Sequence, residues 1–133
     1  MSTNGDAALS RGQAGEHLAA SILREKCDFV APIESGNADL ICRYKGVYVS
    51  VEVKTTSSEK DNRSLGFSLN KKQNNSADFF ALCDISKRIC VFKKVKKNLK
   101  FTRIKRTEFT RENEQASLER ALNNARKVKS TVN

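Results

Sequence analysis

No run of apolar residues approaches the ~20 that a bilayer-crossing helix requires, and the opening stretch MSTNGDAALSRGQ lacks the charged-then-apolar build of a secretory leader. The expectation is therefore an intracellular, reducing compartment and not secretion. The chain also lacks a zinc set. Cys27, Cys42, Cys83 and Cys90 stand 15, 41 and 7 residues apart, form no CxxC pair and have a single histidine, His17, to join them. Their expected role is that of buried reduced thiols, because free cysteine packs as a small hydrophobe. Cys83 and Cys90 would then face each other across a hairpin. Internal repeats and low-complexity tracts are missing too, so the 133 residues, 38% of them hydrophobic, read as one globular domain able to build a core without cross-links.

Acidic residues are missing where basic ones are densest. Residues 1–86 are nearly balanced, with 10 basic and 11 acidic side chains, whereas residues 87–133 carry 15 basic and 4 acidic, the whole of the net +10. Between Lys87 and Arg106 there are ten Lys or Arg and no acid, among them Lys93, Lys94, Lys96, Lys97, Lys100 and Arg103. Such one-sign density suits a phosphate backbone, from which each neutralising contact releases counterions. An acidic membrane surface would attract it as well. The basic residues are, however, interleaved with Ile89, Val91, Phe92, Leu99, Phe101 and Ile104, a strand pattern with no long amphipathic helix to lie in a lipid interface. Nucleic acid is the expected partner.

Hydrophobic spacing places the elements. Ser10 and Gln13 form a possible capping box, and Ala14, Leu18, Ala19, Ile22 and Leu23 recur at helical spacing, which predicts a helix over about 11–26 after a flexible start over 1–9. Strands are predicted at 29–31, closed by Pro32, and at 38–44 and 47–55, followed by a polar loop over 56–64. A strand at 66–69, a short helix at 70–76, a hairpin of 79–83 with 88–93 and an edge strand at 99–104 follow. Leu118, Ala121, Leu122, Ala125 and Val128 then predict an amphipathic helix over about 113–128. The order implies an α/β domain, a mixed sheet flanked by helices.

The chemistry lies in Val47-Tyr48-Val49-Ser50-Val51-Glu52-Val53-Lys54. Strict alternation puts the four valines on one face and Tyr48, Ser50, Glu52 and Lys54 on the other. With Lys45-Gly46 as a two-residue hairpin loop, paired positions sum to 91 and Asp39 falls opposite Glu52. Carboxylates so placed need a cation between them or a raised pKa, and a divalent metal is the economical explanation. A three-residue loop would instead turn Asp39 to the other face. Glu52-Val53-Lys54 is the only E-x-K in the chain, and an Asp 13 residues upstream of one is expected by chance in about 3% of chains of this size.

These residues resemble the PD-(D/E)XK nuclease superfamily, and within it the small archaeal Holliday-junction resolvases and related endonucleases. The resemblance spans about residues 11–92. It begins at Arg11-Gly12-Gln13-Ala14-Gly15-Glu16, continues through Asn37-Ala38-Asp39-Leu40-Ile41 and is strongest at Val51-Glu52-Val53-Lys54-Thr55. Ala38 stands where the family often has proline. The resemblance implies a restriction-endonuclease-like core in which Asp39, Glu52 and the Val53 carbonyl bind Mg²⁺, with Mn²⁺ able to replace it. It further implies that Lys54 orients or deprotonates the attacking water, that Glu16 approaches from the first helix, and that the protein is a homodimer cutting DNA. On a helical wheel Glu16 lies about 60° from Ala19, at the edge of the apolar stripe, and His17 points about 100° away from it. Gln73, 19 residues beyond Lys54, and Ser35, in the loop before Asp39, are possible supporting residues; the tyrosine that often accompanies such a glutamine is replaced by Ala77.

A Mg²⁺-dependent DNA endonuclease is the leading expectation, with structure-specific, junction-resolvase-like cutting its favoured form. Restriction or homing-type endonucleases and a non-catalytic basic nucleic-acid-binding module are the alternatives.

Overall fold

The computed structural model describes residues 4–33, 38–56, 63–69, 77–94 and 99–131. Among them no helix is long and apolar enough to cross a membrane. Helix α1 runs Asn4–Leu23, and the strands are β1 (Phe29–Pro32), β2 (Leu40–Tyr44), β3 (Val47–Thr55), β4 (Ser64–Ser68), β5 (Phe79–Asp84), β6 (Ile89–Lys93) and β7 (Phe101–Lys105). A short 3₁₀ turn, Arg106–Glu108, leads to helix α2, Arg111–Thr131.

Five strands form a mixed sheet in the order β1-β2-β3-β5-β6, and β4 and β7 form a separate antiparallel ribbon. Only β3 and β5 run parallel. The β2–β3 turn decides the register. Lys45 and Gly46 both take positive φ, 48° and 82°, as a two-residue hairpin of matching twist requires. Tyr44 therefore faces Val47, and Leu40 faces Val51, the pairing expected from the sequence.

The sheet has two covered faces. On one, Val49, Val51, Val53, Phe79, Ala81, Cys83, Cys90 and Phe92 pack with Ala19, Leu23, Leu118 and Leu122 of the two helices. On the other, Phe80, Leu82 and Val91 pack under Leu65, Phe67 and Ile104 of the ribbon, with Phe109 closing the end. The ribbon covers the β5–β6 half of its face. All four cysteines are free and buried, and the Cys83 and Cys90 sulfurs lie 2.8 Å apart across the hairpin.

Strand β6 is an edge, and α2 saturates it with side-chain acceptors. The buried Glu114 carboxylate accepts the Cys90 N–H at 2.9 Å and also pairs with Arg111. One turn later the buried Ser117 hydroxyl accepts the Phe92 N–H at 3.0 Å and donates to the Glu114 carbonyl. Two outward-pointing donors of the strand thus bond to the i and i+3 positions of one helix, avoiding the penalty of buried orphans.

Three expectations are corrected. The first helix spans residues 4–23 where 11–26 was predicted, so Ser10 and Gln13 lie inside it and residues 4–9 are helical; Ala7-Ala8-Leu9 are strong helix formers that carry it past the supposed cap. Strand β2 begins at Leu40, because Asp39 leaves the ladder to serve the site described below. The predicted edge strand at 99–104 is β7 of the ribbon: its buried Ile104 pairs with Leu65 of β4 and not with the main sheet. The predicted helix over 70–76 lies outside the described residues.

Candidate active site

Glu52 sits in the middle of β3, opposite Phe80, and Lys54 sits opposite Leu82, so both project from the face on which the ribbon stands. Glu52 is completely buried, and among the described residues no donor is bonded to either of its carboxylate oxygens. Among the described residues the cation in salt-bridge range is the Lys54 ammonium, 3.8 Å from Oε2.

Asp39 reaches the same spot from the start of β2. Its N–H donates to the Val51 carbonyl at 3.0 Å, and its own carbonyl accepts the Ile33 N–H. Its carboxylate accepts the Val53 N–H at 2.8 Å, in place of the ladder bond that a longer β2 would have made. In a strand the N–H and C=O of one residue point the same way. The Val53 carbonyl therefore faces the gap between Asp39 and β3.

Glu16 completes the group from α1. Partial burial first, and then the Asp39 carboxylate, hold its carboxyl above the usual range, with a small offset from His17. The approach of the helix depends on Gly15. A Cβ there would stand 2.6 Å from the Thr55 Cγ2 methyl and 3.4 Å from Val53 Cγ1. We expect Gly15→Val to lower stability by about 1–3 kcal/mol through overpacking, read as a fall in melting temperature; an unchanged melt would mean that α1 is not held by this contact.

Burial is the largest influence on Glu52, followed by the Asp39 carboxyl. With a smaller contribution from Glu16 and a partial offset from Lys54, they push its pKa up to about 9. A divalent cation between Asp39 and Glu52 would be met by hard oxygen donors, two carboxylates and the Val53 carbonyl, and would give the orphaned Glu52 oxygens a partner. No cluster of three or more His, Cys, Asp or Glu arranged to hold a metal occurs among the described residues. The donor set is the smaller one of two carboxylates and a carbonyl.

Glu16, Asp39, Glu52 and Lys54 are thus brought together from α1, β2 and β3. His17 is exposed and faces a separate pocket with Ala14, Leu18, Ser21, Ile85 and Arg88. Ser35 and Gln73 lie outside the described residues, as do Lys96 and Lys97. Lys93, Lys94, Lys100 and Arg103 are exposed, the first two at the end of β6 and the others in or beside β7.

No protein-family model and no curated protein matches the chain. A solved structure of a bacterial homing endonuclease, I-Ssp6803I, does match, with a TM-score of 0.70 over 98% of this chain and 99% of that one. What is shared is the fold. At 17% identity the likeness establishes the mixed-sheet architecture and leaves the chemistry to be argued from the residues.

The sequence reading missed Glu114 and Ser117, which join α2 to the sheet. Their one signal is position: both lie on the helix stripe that carries Leu118, Ala121 and Leu122.

Proposed function

We propose that the protein is a metal-dependent DNA endonuclease of the PD-(D/E)XK type. The observation that carries this reading is the Glu52 carboxylate, fully buried and without a hydrogen-bond partner among the described residues, beside Asp39 and with a lysine ammonium 3.8 Å away. A site built only for stability would not bury one carboxylate against a second acid, since like charges repel and an unpartnered buried carboxylate costs free energy.

Asp39, Glu52 and the Val53 carbonyl would hold Mg²⁺, which supplies Lewis-acid polarisation of the scissile phosphate and a lowered pKa for the attacking water. The chain's own residues do the rest. Lys54, half in the site and half exposed, places a positive charge where negative charge develops on the phosphate and orients the nucleophilic water. Glu16 stands on the helix side of Asp39 and is positioned to accept a hydrogen bond from water entering there. Lys93, Lys94 and Lys100 supply phosphate contacts that position the substrate, and Arg103 meets the same nucleic acid from β7. One such site cuts one strand, so cleavage of a duplex would engage two copies of the chain. The homing endonuclease that shares this fold supports DNA as the substrate class.

The test is a panel of labelled four-way junction, linear duplex, single-stranded DNA and RNA, each incubated with Mg²⁺ or with EDTA. Cutting of a DNA substrate in Mg²⁺ and none in EDTA is the expected result. Undiminished cutting in EDTA would remove the metal from the mechanism, and binding without cutting under every divalent cation would leave a non-catalytic nucleic-acid-binding module.

A further inference from the structure

The β4–β7 ribbon has an asymmetry that packing alone does not require. Its inner face is largely apolar: Leu65 pairs with Ile104, and Phe67, opposite Thr102, packs in the same cluster. Its outer positions pair Ser64 with Lys105, Gly66 with Arg103 and Ser68 with Phe101. Every outer residue of β4 is small, every outer residue of β7 is long, and none is acidic.

The long side chains of β7 lie across the small ones of β4. A Cβ on Gly66 would meet the Phe101 ring at 2.4 Å, so the ring rests directly on the Gly66 backbone. The Arg103 guanidinium carbon stands 5.3 Å from the centre of that ring, and Nη1 lies 3.5 Å from the Ser64 hydroxyl. Phe101, Arg103 and Lys105 remain exposed, and Lys100 extends the row. The guanidinium is thus held over an aromatic plate on a ribbon whose other face is fixed in the core. It is oriented before any ligand arrives.

A two-stranded ribbon fits the ~12 Å major groove of B-form DNA, where a guanidinium bonds the O6 and N7 of guanine with both arms. The ribbon stands on the same face of the sheet as Glu52 and Lys54, so a duplex approaching that side meets both. We propose that the outer face of this ribbon enters the major groove of duplex DNA and that Arg103, positioned by Phe101 over Gly66, reads guanine there. This deepens the nuclease reading and rests on it. It also separates DNA from RNA duplexes, because the A-form major groove is too deep and narrow for a ribbon.

The experiment is selection from a pool of DNA duplexes with a randomised core, using wild type, Arg103→Lys, Arg103→Ala, Phe101→Ala and the control Lys26→Ala. The wild type should enrich a site containing guanine at fixed positions. Arg103→Lys keeps the charge and loses the two-armed geometry. It should reduce the preference for the enriched site over a shuffled duplex about 10-fold or more, with the salt dependence of binding retained. Arg103→Ala should lose the preference and also show a shallower salt dependence. Phe101→Ala should resemble Arg103→Lys, and Lys26→Ala should resemble the wild type. Tight binding by the wild type with no enriched motif would overturn the proposal and leave the nuclease reading standing. So would an unchanged preference in both Arg103 variants. Failure of the wild type to bind or cut any DNA would overturn both.

Discussion

Replacing Asp39 by Asn is expected to lower single-turnover cleavage about 1,000-fold or more, while the protein stays folded and still binds duplex DNA. The Asp39 side chain has a structural duty, acceptance of the Val53 N–H at 2.8 Å, and a chemical one, supply of negative charge to the gap beside Glu52. A carboxamide oxygen can perform the first and not the second. Lys54→Ala should give a loss of similar order for a different reason. It removes positive charge beside the reacting phosphate and takes away the cation that lies 3.8 Å from the Glu52 carboxylate. Binding measured in EDTA should change little for either variant, because the residues assigned to the phosphates lie on β6 and β7. Equal loss of binding and cleavage, or a variant that no longer melts cooperatively, would return Asp39 to a purely architectural role.

Glu52→Gln should do two opposite things: abolish cleavage, and stabilise the metal-free protein at alkaline pH. In the folded chain Glu52 holds its proton up to about pH 9, against an ordinary value of 4.5. Between those limits the native state binds a proton that the unfolded chain has released. Stability must then fall as pH rises through this window: the contribution is complete below about 4.5 and lost through about 9. Glutamine does not titrate and removes this dependence. In EDTA at pH 8.5 the variant should exceed the wild type by about 1–3 kcal/mol, the usual range for relieving an unsatisfied buried polar group. At pH 5 the two should melt alike. Added Mg²⁺ should restore the wild type at pH 8.5 and leave the variant unmoved. Parallel melting curves for the two proteins across this pH range would mean that Glu52 is better solvated than its burial indicates.

The site was more legible in the sequence than the architecture around it, for physical reasons. Alternation along β3 and the Lys45-Gly46 turn are local, and together they determine which residues share a face and which strands pair. The sequence alone therefore places Asp39, Glu52 and Lys54 together. Glu16 depended on the resemblance, because helix spacing gives its angle around α1 and says nothing of where α1 crosses the sheet. The ribbon was not legible. Leu65, Phe67 and Ile104 alternate like residues of any half-buried strand, and pairing β4 with β7 joins segments that begin 37 residues apart, with both β5 and β6 between them. A strand at 99–104 looks the same whether it borders the main sheet or leaves it. The early start of α1 was hidden by Ser10 and Gln13, whose capping pattern is tolerated inside a helix when alanine and leucine precede it.

The union of α2 with β6 bears on how the molecule is kept from polymerising. A sheet has two rims, and a bare rim is a template on which another chain can crystallise strand by strand. Here one rim has its Cys90 and Phe92 donors engaged by Glu114 and Ser117. The other is a four-residue strand that ends in Pro32, a residue with no donor to offer. Lateral addition of strands is thus denied a long template at either rim of the five-stranded sheet, through two polar side chains and one proline rather than through the surplus of lysine and arginine alone.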